Sequence, residues 1–411
     1  MYVIFEKHET RSPIKVWLES IEDIDELARD QAKNLSNLPF IHKWIALMPD
    51  VHAGMGMPIG GVIACRNAVI PNAVGVDIGC GMIFTSTNIK VADVKDIETG
   101  NGSFFQNIVG NIMRNIPVGF NRHKKIQESK SLDKAKEEMH KYEKDFHLAS
   151  EIDMGYYQVG TLGGGNHFIE LQEDDNGYLC IMIHSGSRHF GKEICDYFNK
   201  IAVEINEKYH SNIPREYRLA FLPADSEYGK RYIDWMNLAL DYAYENRDRM
   251  LSVVKDTLTR VISKHTDLNI EFDNLINCHH NYASIENHYG SNVWVHRKGA
   301  TRARLNELAV IPGAMGSYSY VVRGLGNQES FMSCSHGAGR RYSRTKAKAE
   351  FSVESVMTDL KNQDVILGKQ NKNDVAEESR FAYKDISEVM ENQKDLVEIV
   401  TELKTIAVVK G

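Results

Sequence analysis

Short β-branched runs closed by glycine recur along the chain with long helical stretches between them, and this alternation restricts the fold more than any other feature. From about Ile45 to Thr87 the texture is Gly, Val, Ile and Pro, with runs such as Gly61-Val-Ile-Ala-Cys65 and Val74-Gly-Val-Asp-Ile78 that read as strands joined by tight turns. Tyr178–His184 reads as a buried strand after a glycine-rich loop at 155–170, and 275–345 returns to short strands and glycine loops. Long helices are expected at 190–208 and at 228–265, the latter with apolar residues at helical spacing, and others at 14–38, 129–150, 343–361 and 384–405. No solenoid-period repeat, low-complexity tract or Pro/Ser-rich linker interrupts the pattern. The expectation is an α+β fold in one large domain, 1–411, with a charged helical excursion on the surface at about 110–155.

Hydrophobic residues make up 42% and charged residues 26% of the 411, the balance of a globular chain rather than a disordered one. No stretch approaches the roughly 20 apolar residues that span a bilayer. The segment Met1-Tyr-Val-Ile-Phe-Glu-Lys-His8 puts charges where a signal peptide needs its apolar run, so a cytoplasmic location is expected. Six cysteines (Cys65, Cys80, Cys180, Cys195, Cys278, Cys334) form no C-x-x-C pair and are expected to be reduced. A net charge of −7 argues against coating nucleic acid through the overall field. Arg297, Lys298, Arg302 and Arg304, and again Arg340, Arg341, Arg344, Lys346 and Lys348, could form a local basic groove or simply a solvated face.

Histidine placement carries the most chemical information. His52, His167, His184, His279, His280 and His336 stand at the ends of apolar runs or in glycine-rich segments, where metal ligands gather on loops held by a scaffold. Asp77 and Cys80 lie three apart in Val74-Gly-Val-Asp-Ile-Gly-Cys-Gly-Met82 and would add a carboxylate and a thiolate, giving a mixed O/N/S site. The alternative is a tight turn with a buried thiol. Ligand softness alone favours Zn²⁺, with Mn²⁺ as the harder-ligand choice.

Several loops suit phosphate. Gly160-Thr-Leu-Gly-Gly-Gly-Asn-His167, Pro312-Gly-Ala-Met-Gly-Ser-Tyr-Ser319 and His336-Gly-Ala-Gly-Arg340 could each present backbone N–H groups to an anion. Gly186-Ser-Arg-His-Phe-Gly-Lys-Glu193 has P-loop spacing, but Glu193 stands where a Mg²⁺-binding hydroxyl is required and would repel phosphate. No Lys-x-Asp-Gly tetrapeptide supplies a lysine nucleophile for nucleotidyl transfer, whereas histidine can form a phosphoramidate.

Taken together, Met48-Pro-Asp-Val-His52, Val74-Gly-Val-Asp-Ile-Gly-Cys-Gly81, Gly160–His167, His184-Ser-Gly-Ser-Arg188, His279-His-Asn-Tyr282, Arg297-Lys-Gly-Ala300, Ser335-His-Gly-Ala-Gly-Arg340 and Val409-Lys-Gly411 resemble, in order, the signature stretches of RtcB-type RNA-splicing ligases. The resemblance runs from about residue 40 to the end. It implies short-strand mixed sheets around a metal site with long helices outside. The implied enzyme uses GTP and Mn²⁺ to join an RNA 3′-phosphate or 2′,3′-cyclic phosphate to a 5′-hydroxyl, in tRNA splicing or RNA repair. By motif match, Asp77, Cys80, His167, His184 and His280 hold two ions, and His336 attacks the α-phosphorus of GTP. Asn166 helps place the triphosphate. Glu170, Ser319, Tyr383 and Lys410 fall where the family contacts guanine or ribose. Asn281, Pro312, Gly313, Ala314, Met315, Gly337, Ala338 and Gly339 complete the nucleotide contacts, and Arg188 and Arg340 meet RNA phosphate. The family's manganese overrides the preference for zinc. A monomer is implied, with an archease-type activator as a candidate partner.

His336 must be neutral to attack, so its other ring nitrogen needs a fixed partner, which the sequence does not name. Asp50 or His52 could assist at the RNA hydroxyl. Ala314 stands where many relatives have Ser, and Met55 and Met57 where some carry lysine or an aromatic residue, which bears on substrate preference. Two other readings stand beside the ligase. One is a metallo-phosphoesterase that opens cyclic phosphates without joining ends. The other is a GTP-binding adaptor, which would be expected to lack Cys80 or His336.

Overall fold

The computed structural model describes residues 1–411, built on two sheets whose edges meet. The six-stranded sheet runs Tyr2–Ile4, Ile14–Val16, Ile41–His52, Ile59–Cys65, Ser291–Lys298, Asn281–His288. The eight-stranded sheet runs Phe272–His279, Gly81–Lys90, Tyr178–Ser185, Phe168–Asp174, Val397–Lys410, Ser319–Gly324, Leu308–Ile311, with Ile366–Gly368 parallel beside Val397–Lys410. Strand Ile14–Val16 also pairs in parallel, with Ile45–Leu47, so both sheets are mixed. The α+β expectation holds.

The central strands of the larger sheet are apolar on both sides because both sides are covered. Along Tyr178–Ser185, Leu179, Ile181 and Ile183 face one core while Cys180 and Met182 face another. This is the period-two alternation of a strand, and Gly81–Lys90 repeats it with Ile83 and Ile89 against Met82 and Phe84. Helices Phe104–Asn115 and Glu227–His265 close the first core with Phe104, Ile108, Ile112, Met250, Val254 and Leu258. Each such fully buried side chain contributes roughly 1.5–3 kcal/mol. Helix Val353–Asn362 covers the second with Val356 and Leu360.

Helices Arg188–Lys208 and Glu227–His265 fall where periodicity placed them. Within the stretch expected to be an excursion, helices Lys130–Glu137 and Phe146–Gln158 bury Leu132, Leu148, Ile152 and Tyr156 against those two long helices. The second runs into the expected 155–170 loop before the chain opens at Val159.

Other expectations need correction. Of 14–38, only Glu26–Ser36 is α-helical, because Ile14–Val16 is a sheet strand. Val74–Ile78 is not a strand: a helical turn at Pro71–Val74 gives way to a loop. The helix expected at 343–361 is two, with Ser352 capping the second by accepting from the Ser355 N–H. The stretch 384–405 is helical only over Ile386–Glu391, and Val397–Lys410 is a fourteen-residue strand inside the larger sheet. All six cysteines are free, and no helix is long and apolar enough to cross a membrane.

Candidate metal centre and nucleotide cavity

Strand register gathers the candidate ligands at one end of the larger sheet. Met82 pairs with His184, and Gly81 with Ser185 and with His279. His184 also pairs with Phe168, which Lys410 flanks from the other side. The residues just beyond these ends are Asp77 and Cys80 before Gly81, His167 before Phe168, and His280 where the chain passes from Phe272–His279 into the other sheet. Dispersed positions in sequence thus become neighbours. Gly186 is needed here, since a Cβ at that position would collide with the Asp77 carboxylate.

Cys80 Sγ lies 3.5 Å from His167 Nε2 and 3.2 Å from His184 Nε2, and the three ligand atoms fall within 4.8 Å of one another. Asp77 Oδ2 adds to this group at 3.0 Å from His167 Nε2, and His280 Nε2 at 3.3 Å from His184 Nε2. The Nδ1 atoms of His167 and His184 point outward to the carbonyls of Leu162 (3.0 Å) and Asn166 (3.3 Å). A proton donated there leaves each Nε2 lone pair facing inward, the tautomer that metal-binding histidines adopt. Imidazole lone pairs, a thiol and a carboxylate converging at one buried point fit a divalent cation. Burial holds His184 and His280 well below the usual imidazole range, hence neutral, and pushes the Cys80 thiol up. Burial works against the Asp77 charge, but His167, Cys80 and Arg188 around it together bring the carboxyl down to about 2. A bound cation would draw the thiol proton off.

The scaffold beneath was not visible in the sequence. Asn246 and Arg247, both fully buried on the long helix, tie together the three ligand-bearing loops. Asn246 Oδ1 accepts from the Gly160 and Thr161 N–H groups (2.7 and 3.0 Å), and its Nδ2 donates to Ser185 Oγ and the Gly186 carbonyl. Arg247 Nη1 donates to the carbonyls of Gly79 (2.8 Å) and Ser185 (2.9 Å). Both sit mid-helix in a charged run, and only their position on the core-facing stripe could have singled them out.

The six-stranded sheet and a two-stranded pair, Ala300–Arg302 with Ser333–Ser335, supply the other half. His336 follows strand Ser333–Ser335, and its ring centroid is 4.7 Å from that of His280. Its Nδ1 donates to Asp50 Oδ2 at 2.6 Å, from the buried strand Ile41–His52. Gly339, at φ +75°, lets the loop pass over the Asp50 carbonyl where a Cβ would clash.

His336 opens into a cavity of about 160 Å³ also lined by His52, Asn166, Glu170, Pro312–Met315, Gly337–Arg340, Tyr383 and Lys410. Wider clefts of about 600 to 750 Å³ lie elsewhere, but neither His336 nor His167, His184 or His280 lines them. A buried Glu378, absent from the sequence-based set, organises one wall by accepting from Lys410 Nζ (3.0 Å), Arg340 Nη1 (3.2 Å) and Tyr383 Oη (2.7 Å). Burial opposes its charge, but Lys410 and Arg340 outweigh that and hold its carboxyl below the ordinary value. Glu170 meets only Gln172 (2.7 Å) and Thr405 (3.2 Å), and burial raises it to about 7.

Three expected contact residues face elsewhere. Ser319 is behind the wall, accepting from the Gly313 N–H at 3.1 Å. Asn281 braces the Asp77 carbonyl (3.1 Å) and the Gly299 N–H (2.7 Å). Arg188 spends its guanidinium on Thr161 Oγ1 (3.2 Å) and the Gly119 carbonyl (3.1 Å).

Fold and site together define a candidate metalloenzyme, with His336 set between a candidate cation site and a small cavity walled by two glycine loops. A family model described as tRNA-splicing ligase RtcB matches residues 31–411, and the chain belongs to the RtcB family. It is similar to the RNA-splicing ligase RtcB of Escherichia coli K12, with 37% identity over 97% of this chain and 98% of that one. RNA-splicing ligase RtcB1 of another Escherichia coli strain is 38% identical over the same shares. The tRNA-splicing ligase RtcB of Methanococcus maripaludis is 30% identical over 98% of this chain and 95% of that one.

Proposed function

We propose that this chain is a cytoplasmic RNA ligase, active as one catalytic domain over 1–411, that uses GTP and two Mn²⁺ ions to join an RNA 3′-phosphate or cyclic phosphate to a 5′-hydroxyl. The observation that carries the reading is the placement of His336: its Nδ1 is tied to a buried carboxylate and its ring lies against the imidazole cluster. Asp77, Cys80, His167, His184 and His280 are the residues that would hold the ions. When bound, the ions supply charge neutralisation for the triphosphate and acidify the attacking hydroxyl.

The chain's own residues supply the rest. With the Nδ1 proton donated to Asp50, the Nε2 lone pair of His336 attacks the α-phosphorus. A P–N bond forms, the bond to the β-phosphate bridging oxygen breaks, and pyrophosphate leaves with that electron pair. Asp50 balances the positive charge that develops on the ring, as a carboxylate does behind other catalytic imidazoles. An oxygen of the RNA 3′-phosphate then takes the guanylate, and the P–N electron pair returns to Nε2. Attack by the 5′-hydroxyl on the activated 3′-phosphorus releases GMP. His52 lines the same cavity and is neutral because burial holds it near 4, so it can accept a hydrogen bond from that hydroxyl. Glu170, Tyr383 and Lys410 are assigned to the guanosine, with Asn166 and the two glycine loops on the phosphates.

A metallo-phosphoesterase would need the cation site but not an oriented nucleophile, so the Asp50–His336 pair favours the ligase. The deciding assay offers an RNA with 3′-phosphate and 5′-hydroxyl ends, GTP and Mn²⁺. Joined product that requires GTP supports the reading. Cyclic-phosphate opening without joining, with or without GTP, supports the esterase instead.

A further inference from the structure

From Thr99 to Gln127 the chain contains no Asp or Glu, although its net charge is −7, and it carries Arg114, Arg122, Lys124 and Lys125. Three of those cations crowd into Phe120-Asn-Arg-His-Lys-Lys125, a loop in which Phe120, Arg122, Lys124 and Lys125 are all exposed. Phe120 is the most exposed large apolar residue of the molecule, at 109% of its reference value. None of the three cations has a carboxylate partner, though the molecule forms ion pairs widely elsewhere. A lone exposed apolar residue is ordinary. A bare phenyl ring among three unpaired cations is the composition of a surface that stacks bases and meets phosphates.

Its place in the fold gives the loop a direction. The Gly119 N–H donates to the Gly163 carbonyl at 2.8 Å and the Leu162 N–H to the Pro117 carbonyl at 3.0 Å. The His123 N–H donates to the Tyr157 carbonyl at 2.9 Å. The loop is therefore stitched to the segment that leads directly into Asn166 and His167. Arg188 fastens it from beneath, with Nη2 on the Gly119 carbonyl and Nε on Thr161. That guanidinium is committed to positioning, which leaves the phosphate contacts to its free neighbours.

We infer that the Phe120 loop is a docking element for single-stranded RNA beside the cation site, with Phe120 stacking on a nucleobase near the joined end and Arg122, Lys124 and Lys125 meeting the flanking phosphates. The inference rests on the RNA ligase reading and adds to it the site of strand capture. It also assigns Arg188 a supporting role rather than an RNA contact.

The test measures binding of a 5′-hydroxyl RNA oligonucleotide at several salt concentrations to the full chain, Phe120→Ala, Phe120→Trp and the triple variant Arg122→Ala/Lys124→Ala/Lys125→Ala, with GTP labelling of each protein read in parallel. Phe120→Ala is expected to weaken RNA binding roughly five- to a hundredfold, and Phe120→Trp to restore it. The triple variant is expected to flatten the slope of log affinity against log salt by about 2, from roughly 0.7 per lost phosphate contact. Unchanged affinity and slope in variants that still label with GTP overturn this inference alone. A wild-type chain that neither labels nor joins RNA overturns the ligase reading instead. A defect that appears only with a protein activator present, at unchanged RNA affinity, overturns the RNA assignment in favour of a protein contact.

Discussion

A single oxygen of Asp50 accepts from His336 twice, from ring Nδ1 at 2.6 Å and from the backbone N–H at 3.1 Å. The two bonds fix the loop and the ring together, so the direction of Nε2 is set before any substrate arrives. Such pre-orientation is what positioned nucleophiles contribute to a transition state.

Removing that acceptor should therefore cost rate rather than nucleotide affinity. Asp50→Ala is expected to slow labelling of His336 by GTP by about 10²- to 10⁴-fold, the range seen when an imidazole loses its orienting carboxylate. Asp50→Asn, which keeps the volume, should show a comparable loss with an unchanged melting curve. Single-turnover kinetics separate the rate from the affinity. Labelling at the wild-type rate in both variants would remove Asp50 from the mechanism.

Cys80→Ala should abolish stoichiometric binding of divalent metal and, with it, labelling by GTP. Its metal-free melting temperature should move by only a few degrees, because Cys80 belongs to none of the hydrophobic cores. Metal titration by calorimetry beside a thermal melt checks both. Full metal binding in the variant would take the thiol out of the site.

The sequence exposed the ligands more readily than what holds them. His167, His184 and His280 stand out because imidazoles at glycine-rich strand ends have little structural reason to be there. Asp50 sits inside a strand that is buried almost throughout, where its partner, 286 residues away, leaves no local trace. Glu378 lies in a 3₁₀ turn, outside any periodic pattern. The strand Val397–Lys410 begins inside the helix expected over 384–405, which takes in 397–405 because Leu396, Ile399, Val400 and Leu403 mimic helical spacing. Its density of β-branched residues, with Val397, Ile399, Val400, Thr401, Thr405, Ile406, Val408 and Val409, was the better guide. Only as a strand does this segment deliver Lys410 to the Phe168 end of the sheet, where register places it. The α+β class and the two long helices were legible because they rest on patterns repeated over many residues.

Glu170 gives the cavity a pH dependence. Burial raises its carboxyl to about 7, so between the ordinary value of 4.5 and 7 the folded chain holds a proton that the unfolded chain has released. That proton uptake makes its contribution to stability fall as pH rises across this window and level off above it, by about 3 kcal/mol in all. A ligand whose N–H groups need the carboxylate should bind in the opposite sense. Guanosine, which does not itself titrate between pH 6 and 8, is expected to bind more tightly as pH rises through 7. Glu170→Gln should bind weakly and without slope. Equal affinity of the wild type at pH 6 and 8 would place the base elsewhere.

Incubation with α-³²P-GTP and Mn²⁺, followed by denaturing electrophoresis of the wild type and His336→Ala, tests the central claim most directly. The account predicts an acid-labile label on the wild type, released as GMP when RNA with 3′-phosphate and 5′-hydroxyl ends is added, and none on His336→Ala. Equal labelling of both proteins, or none on a wild type shown to hold metal, would contradict it.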